Sequence, residues 1–243
     1  MSDKIILSEL QLQQIEDATL QAYPNEMCGF LTAEDFIPVT NISDRPQESF
    51  KIDSVDYIKW YKETLAIVHS HTRETRKAEL FDLRTPSYAD YVGQKKTAKP
   101  WLIVGCEGMS VSDPIQFPRV RSNVYIGRRF QWFLNDCYNL VQDFYWFELG
   151  IDLPEAKITP DYDKLRVFDG IFDIYIEEYG FIEVPYEELK ENDLVLLDNG
   201  GFQSNHLGIY TKGQILHQGL VSVSVPFETY IGRIKKVLRY VKD

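Results

Sequence analysis

The sequence predicts an α+β protein built from two domains. Its 243 residues exceed what one average small domain needs. Apolar residues make up 44% and aromatic residues 14%, which is enough for packed cores and excludes a disordered chain. Glycine, proline and serine cluster over 108–122, a composition typical of a connection. We therefore predict a first domain over 1–110, a linker over 111–119 and a second domain over 120–243.

Charge and cysteine content exclude several classes of protein. With 26 basic and 37 acidic residues the net charge is −11, so neither nucleic acid nor an anionic lipid surface is an expected partner. The longest apolar runs are far shorter than the ~20 residues that span a bilayer, so stable membrane insertion is not expected. The N-terminus has no signal-peptide pattern. An odd number of widely spaced cysteines, 3 in all, predicts free thiols made in a reducing cytosol.

The first half alternates helical and strand patterns, which predicts an α/β domain. Ser8 is a plausible N-cap for a helix over 8–22, because apolar residues follow it at helical spacing. Helices are also predicted over 55–62 and 86–96. Strands are predicted over 27–31, 36–40, 65–68 and 101–105.

The second half predicts one helix followed by strands, an α+β arrangement. The helix covers 136–149, with Asn135 or Asp136 at its cap. Apolar segments, several of them rich in valine and isoleucine, predict a small antiparallel sheet. They lie at 194–197, 207–210, 214–217, 221–225 and 236–241.

His69 and His71 come directly after a short apolar strand. Residues i and i+2 of an extended chain point to the same side, so the two imidazoles can bind one zinc ion. Asp90 is the candidate third ligand, and Ser87 shares its face at a helix start. Glu26 is a candidate general base for the water of such a site. The His-x-His pair alone favours two polar side chains near a turn, whereas the full set favours a metal site.

These residues resemble the signature of the JAMM (MPN-type) zinc metallopeptidases. The resemblance implies that His69, His71 and Asp90 bind Zn²⁺. It also implies that Glu26 activates water and that Ser87 stabilises the oxyanion during peptide or isopeptide hydrolysis. Fifteen residues, 72–86, separate His71 from Ser87, more than is usual in the family.

The family's usual spacing places the serine and aspartate on Glu79 and Asp82. Glutamate cannot donate to an oxyanion as serine does, so we prefer Asp90 and keep Asp82 as the rival ligand. The extra residues predict an inserted loop that gates substrate or hampers catalysis. Its basic residues are Arg73, Arg76, Lys77 and Arg84.

Cys137 opens the second-domain helix, where the positive end of the helix dipole is expected to stabilise a thiolate. His206 and His217 lie on consecutive predicted strands joined by a short turn. Such a hairpin is expected to bring them side by side as base and orienting group. The alternative for Cys137 is a small buried apolar residue, the class to which we assign Cys28 and Cys106.

Asp136-Cys137, Asn205-His206-x-Gly-Ile-Tyr and Ile-Leu-His217 resemble the NlpC-type cysteine peptidases. The resemblance implies a papain-like domain that cleaves peptide bonds in bacterial cell-wall stems through a thioester. Cys137 is then the nucleophile, His206 the base, His217 the orienting group and Tyr125 an oxyanion helper. The Ser-Gly pair that often follows the family's cysteine is Tyr138-Asn139 here.

A JAMM-type domain followed by an NlpC-type domain resembles the lambda-type phage tail tip protein K family. Tyr-Ile-Gly-Arg at 125–128 and Pro-Trp-Leu-Ile-Val at 100–104 strengthen the resemblance. It implies a virion tail tip protein, synthesised in the host cytoplasm without a signal peptide. Its expected partners are peptidoglycan stem peptides and other tail tip proteins. Two alternatives are a structural assembly factor with dispensable peptidase sites and a protease that processes another tail protein.

Overall fold

The computed structural model describes residues 3–73, 82–156, 176–198 and 206–242. The chain divides into two compact units, Met1–Val120 and Arg121–Asp243. The inserted-loop residues Arg76, Lys77 and Glu79 lie outside the described residues. Within the described ranges, no helix has the length and apolar character needed to cross a membrane.

The first unit contains a five-stranded sheet in the order β2-β1-β3-β4-β5. β3 and β4 are parallel, and the other neighbouring strands are antiparallel. The helices and strands are α1 (Glu9–Ala22), β1 (Cys28–Leu31), β2 (Phe36–Val39), α2 (Ser54–Trp60), β3 (Ala66–Thr72), α3 (Tyr88–Thr97), β4 (Trp101–Cys106) and β5 (Ile115–Phe117).

β3 is the central strand, and every one of its residues is buried. The predicted strand stops before His69, whereas β3 continues through both histidines. It can do so because the Nε2 atoms of both imidazoles contact each other and Asp90, so these buried nitrogens have polar partners. A parallel partner requires a crossover, and α3 lies in the connection that leads to β4.

The predicted linker over 111–119 is wrong in part, because it contains β5. Ile115 pairs with Ile103 of β4. The Gln116 amide carbonyl accepts a hydrogen bond from the Ile5 backbone N–H, which ties the edge strand to the start of the chain. Three residues flanked by Pro114 and Pro118 are too few to show a strand period in sequence.

The second unit contains the predicted antiparallel sheet, which is confirmed as six strands in the order β10-β9-β8-β7-β11-β6. The sequence reasoning missed β6, an edge strand. The elements are α4 (Cys137–Phe144), β6 (Phe181–Val184), β7 (Leu194–Leu197), β8 (His206–Thr211), β9 (Gln214–Gln218), β10 (Ser222–Pro226) and β11 (Ile234–Tyr240).

α4 packs its apolar residues into the same cluster as the inner faces of β7 and β8. Leu140 and Phe144 share this cluster with Leu196, Leu207 and Ile209. The predicted helix over 136–149 is right in extent but changes its winding. After Phe144 the chain continues as a π-helix over Tyr145–Leu149 and stops at Gly150, whose φ of 70° is left-handed.

A buried ion pair joins the segment before α4 to the helix itself. Arg128 Nη2 donates to Asp143 Oδ2 at 2.7 Å, and the two side chains are 7% and 0% exposed. Arg128 also donates to the Asn135 side-chain carbonyl, and its own carbonyl accepts from Gln218 of β9. The Arg128 side chain and backbone therefore connect the helix, the sheet and the segment that leads to Cys137.

We expect Arg128→Met to destabilise the second unit by about 3–5 kcal/mol, because it leaves the Asp143 carboxylate buried without its cation. Native-state hydrogen exchange of β7 to β9 in the full chain measures this change. The double variant Arg128→Met, Asp143→Leu is expected to recover part of the loss.

Lys236→Met is the matched control, because its ion pair with Glu183 is more exposed, at 35% and 58%. Its effect is expected to stay within about 1 kcal/mol. An Arg128→Met protein as protected as this control would contradict a structural role for the buried pair.

Candidate active sites

The first unit brings His69, His71 and Asp90 together beneath the surface. Their ligand atoms lie within 4.8 Å of one another, and all three residues are buried. His69 Nε2 is 3.3 Å from Asp90 Oδ1, and His71 Nε2 is 3.1 Å from Asp90 Oδ2. The two Nε2 atoms are 3.0 Å apart. Two nitrogens and one carboxylate are the donor types that catalytic zinc sites use.

The outer ring nitrogen of His71 determines which of its nitrogens can bind a cation. His71 Nδ1 donates to the Leu83 carbonyl at 2.6 Å, so in the neutral ring Nε2 carries the lone pair. That lone pair faces an Asp90 oxygen and the His69 nitrogen. A cation between them is attracted by this lone pair and by the Asp90 carboxylate, so the donor set fits Zn²⁺.

Aromatic rings hold the His69 imidazole in place. Phe50 stacks on it at 4.6 Å between ring centroids, and Trp101 meets it edge-on at 5.3 Å. His69 Nδ1 is buried and has no hydrogen-bond partner among the described residues. The ring is therefore oriented by packing rather than by a polar contact on its outer side.

The pKa of Asp90 reflects two opposing effects. Burial favours the neutral acid and is the largest single influence, but the charges and hydrogen bonds of His69 and His71 together hold the pKa well below its usual value. The carboxylate is therefore ionised at neutral pH, the form in which it can bind a metal.

Ser87 and Asp90 form the capping box of α3. The Ser87 hydroxyl oxygen accepts from the Asp90 backbone N–H at 3.1 Å, while the Asp90 carboxylate accepts from the Ser87 backbone N–H at 2.6 Å. Because Ser87 uses only a lone pair in this contact, its hydroxyl proton stays available to donate. The cap also fixes the backbone around the candidate ligand.

Glu26 lies just before β1 and outside the group of converging ligand atoms. Cys28 pairs with His69, and Ser70 of β3 exchanges hydrogen bonds with Met27. Continuing this register brings Glu26 level with His71. Its side chain is 4% exposed, and it lines a cavity of about 710 Å³ beside α1 and β2. A carboxylate beside the ligands but not among them is where a general base is expected.

The structure places the rival ligand Asp82 elsewhere. Its carboxylate accepts two hydrogen bonds from the Arg84 guanidinium, at 2.9 and 2.6 Å, and a third from the Arg84 backbone N–H at 2.9 Å. Burial tends to raise the pKa of Asp82, but the Arg84 hydrogen bonds and charge bring it below the usual value. Arg73, another basic residue of the inserted loop, forms an ion pair with Glu107.

In the second unit, Cys137 is the first residue of α4, and Asp136 is its N-cap. The Asp136 carboxylate accepts from the Asn139 backbone N–H at 2.9 Å. The sequence predicts a stabilised thiolate here, and the surroundings of the sulfur contradict this prediction. Burial and then the Asp136 charge raise the pKa of the Cys137 thiol to about 12. Backbone N–H groups of Leu207, Tyr138 and Cys137 itself only partly oppose the rise.

His206 and His217 meet across β8 and β9, but diagonally rather than directly opposite each other. His217 pairs with Gly208, two residues beyond His206 on the same face of β8. His206 Nε2 lies 3.0 Å from His217 Nδ1. The loop Lys212-Gly213 has φ values of 53° and 72°, as a type I′ turn requires. This tight turn fixes the register that brings the rings together.

Both imidazoles of the second unit are held in the neutral form. Burial, and then the neighbouring His217, lower the pKa of His206 to about 4. Burial also lowers the pKa of His217. The Leu207 N–H that faces the Cys137 sulfur belongs to the residue next to His206, so the start of β8 adjoins the start of α4. The residue that carries the neutral His206 imidazole therefore lies next to the backbone N–H that contacts the Cys137 sulfur.

Tyr125 does not lie where the oxyanion role requires. Its hydroxyl donates to Glu148 Oε1 at 2.9 Å, and its ring packs on Phe144. Glu148 follows Cys137 by eleven residues along the α4 and π-helix segment, roughly 16 Å at about 1.5 Å per residue. The hydroxyl is thus bonded at the far end of the helix.

The sequence reasoning missed Tyr230. Its hydroxyl lies 3.0 Å from His217 Nε2, and the two rings meet edge-on at 5.1 Å between centroids. It stands between two short 3₁₀ turns after β10, thirteen residues beyond His217. No periodic pattern marks such a contact, so only tertiary packing reveals it.

Comparisons with known proteins find similarities that include the second unit. Residues 125–238 match the model of the NlpC/P60 family. The chain is 28% identical over 231 residues to "Tail tip assembly protein K" of Escherichia phage N15, covering 90% of this chain and 89% of the phage protein. It is 29% identical over 157 residues to the protein of that name from Escherichia phage lambda, covering 64% and 69%.

A solution structure of a Desulfitobacterium hafniense protein covers 45% of this chain and 78% of its own, at 23% identity and a TM-score of 0.32. The range that matches the NlpC/P60 family model includes Cys137, His206 and His217, so the second unit is similar to this family.

Proposed function

We propose that the chain is a phage tail tip protein whose second unit hydrolyses peptide bonds of peptidoglycan stems. The observation that carries the proposal is the neutral His206–His217 pair beside a cysteine at the start of a helix, within a match to the NlpC/P60 family. Similarity to two tail tip assembly proteins over most of the chain supports a place in the virion tail.

In the proposed reaction, the Cys137 sulfur attacks the scissile carbonyl while His206 accepts the thiol proton. The sulfur–carbon bond forms as the carbonyl electron pair moves to oxygen. Backbone N–H groups of Cys137 and Tyr138 at the start of α4 are suited to stabilise that oxyanion. His206 then protonates the leaving amine, and a thioester remains, which water hydrolyses.

We expect Cys137→Ala to abolish the release of stem-peptide fragments from purified sacculi, because no other group replaces the nucleophile. Mass spectrometry of the released fragments, with the full chain as reference, measures the loss and identifies the scissile bond. Circular dichroism checks that the variant is folded.

Cys106→Ala is the matched control, because it removes a thiol from β4 of the other unit and should leave cleavage intact. Undiminished cleavage by Cys137→Ala would overturn the assignment of the nucleophile. A folded wild-type protein that releases nothing would favour a purely structural role in tail assembly.

The pH dependence of cleavage is expected to be unusual for a thiol–imidazole site. The base must be neutral to accept a proton, and the pKa of His206 is lowered to about 4 by burial and by His217. We therefore expect kcat/KM to stay level from neutral pH downwards and to fall only as the pH approaches about 4.

A fall in kcat/KM centred near pH 6.5, the ordinary pKa of histidine, would contradict a lowered pKa for His206. Tryptophan fluorescence at each pH distinguishes loss of activity from loss of fold. A synthetic stem peptide serves as substrate, because protonation of groups in whole sacculi would itself change the rate of cleavage with pH.

A second activity is favoured by the converging His69, His71 and Asp90 of the first unit. We propose a zinc-dependent peptidase there, acting on cell-wall peptides or on another tail protein. Zinc, when bound, supplies a Lewis acid and activates a water molecule. In this proposal Glu26, which the strand register places level with His71, takes a proton from that water. Ser87, whose oxygen only accepts in the helix cap, donates its hydroxyl proton to the oxyanion.

We expect the wild-type protein to bind zinc. The double variant His69→Ala, His71→Ala should retain less than about a tenth of the wild-type zinc content, because two of the three ligands are gone. Elemental analysis of the purified proteins measures metal content without relying on activity. Asp82→Asn, which changes the rival carboxylate paired with Arg84, is the matched control and should retain zinc. Equal metal content in the double variant and the wild type would rule out this site.

A further inference from the structure

Tyr230 completes a chain of hydrogen-bonding groups that begins at the base. His206 Nε2 lies 3.0 Å from His217 Nδ1, and His217 Nε2 lies 3.0 Å from the Tyr230 hydroxyl. Both nitrogens of His217 are therefore engaged, one by the base and one by a phenol. The protonation of any one ring in such a chain constrains the others, because a neutral imidazole has one donor and one acceptor.

Two arrangements of protons satisfy these contacts. In the first, Tyr230 donates to His217 Nε2, so His217 carries its proton on Nδ1 and donates to His206 Nε2. The neutral His206 then carries its proton on Nδ1, the nitrogen that remains for the thiol, and cannot accept another there. This arrangement leaves the site without a base.

In the second arrangement, His217 carries its proton on Nε2 and donates to the Tyr230 oxygen. His217 Nδ1 then accepts from His206 Nε2–H, and His206 Nδ1 keeps a lone pair for the thiol proton. We propose that Tyr230 selects this second arrangement, making it a positioning residue that sets the tautomer of the base through His217. The inference rests on the proposed cysteine peptidase function.

Packing holds the Tyr230 ring in place, so its hydroxyl stays within reach of His217. The ring packs against an apolar cluster that includes Val195, Leu197 and Ile215, all fully buried. The Arg233 guanidinium lies over the ring, 5.7 Å from its centroid. The backbone on both sides is fixed, because the Tyr230 N–H donates to Phe227 and the Tyr230 carbonyl accepts from Arg233.

Tyr230→Phe removes the oxygen and keeps the ring, so it tests the tautomer directly. Long-range ¹H–¹⁵N spectra distinguish Nδ1–H from Nε2–H imidazoles, and the chain has only 4 histidines to assign. At neutral pH we expect Nε2–H on both His206 and His217 in the wild type. We expect a population of Nδ1–H forms in Tyr230→Phe and a rate of fragment release roughly tenfold lower, as the loss of one buried hydrogen bond implies.

Tyr210→Phe is the matched control, because Tyr210 packs on the same cluster and its hydroxyl makes none of the His217 contacts described above. It should change neither the tautomers nor the rate. Unchanged tautomers in Tyr230→Phe, or Nδ1–H on His217 in the wild type, would overturn the proposal. A wild type that shows the expected tautomers but cleaves nothing would refute the proposed function and leave the Tyr230 assignment standing.

Discussion

Each unit buries two histidines whose facing ring nitrogens lie 3.0 Å apart, and the remaining ring nitrogens set what each site can do. A neutral imidazole must both donate and accept, so a buried pair needs outside partners in a fixed order. In the first unit the Leu83 carbonyl accepts from His71 Nδ1, and Asp90 lies beside the Nε2 atoms of both histidines. In the second unit the Tyr230 hydroxyl contacts the outer nitrogen of His217. Glycine is required at Gly208, opposite His217, because a Cβ atom there would lie 2.6 Å from Ile215.

The two pairs differ in the charge of the group beside them, and this difference suits one pair to metal binding and the other to proton acceptance. Asp90 is an anion, and the histidines beside it direct lone pairs toward one point, an arrangement that attracts a cation. The Tyr230 phenol brings no charge to His217, and burial keeps both imidazoles of the second unit neutral. The same structural unit, two imidazoles in contact on a sheet, therefore suits metal binding in one place and proton acceptance in the other.

The sequence predicts most of the helices and strands because their signals are local. Ser8 and Asp136 cap helices at predicted positions, and the strands of the second sheet follow apolar runs. It also selects His69, His71 and Asp90, which the structure brings together. What it misses depends on tertiary packing. Tyr230 reaches His217 from an irregular segment, and β5 is too short to show a period. Tyr125 bonds at the far end of its helix because Glu148, eleven residues beyond Cys137, faces it there.

Burial favours the neutral form of both Cys137 and His206, the proposed nucleophile and base. It raises the pKa of Cys137 and lowers that of His206, so a thiolate–imidazolium pair is disfavoured from both sides before substrate arrives. The positive end of α4 does not overcome this effect in the ground state. In the proposed reaction, these N–H groups would stabilise the negative charge that develops on a carbonyl oxygen under attack. An interaction realised only as that charge forms lowers the barrier rather than stabilising the free enzyme, which is the arrangement that increases kcat.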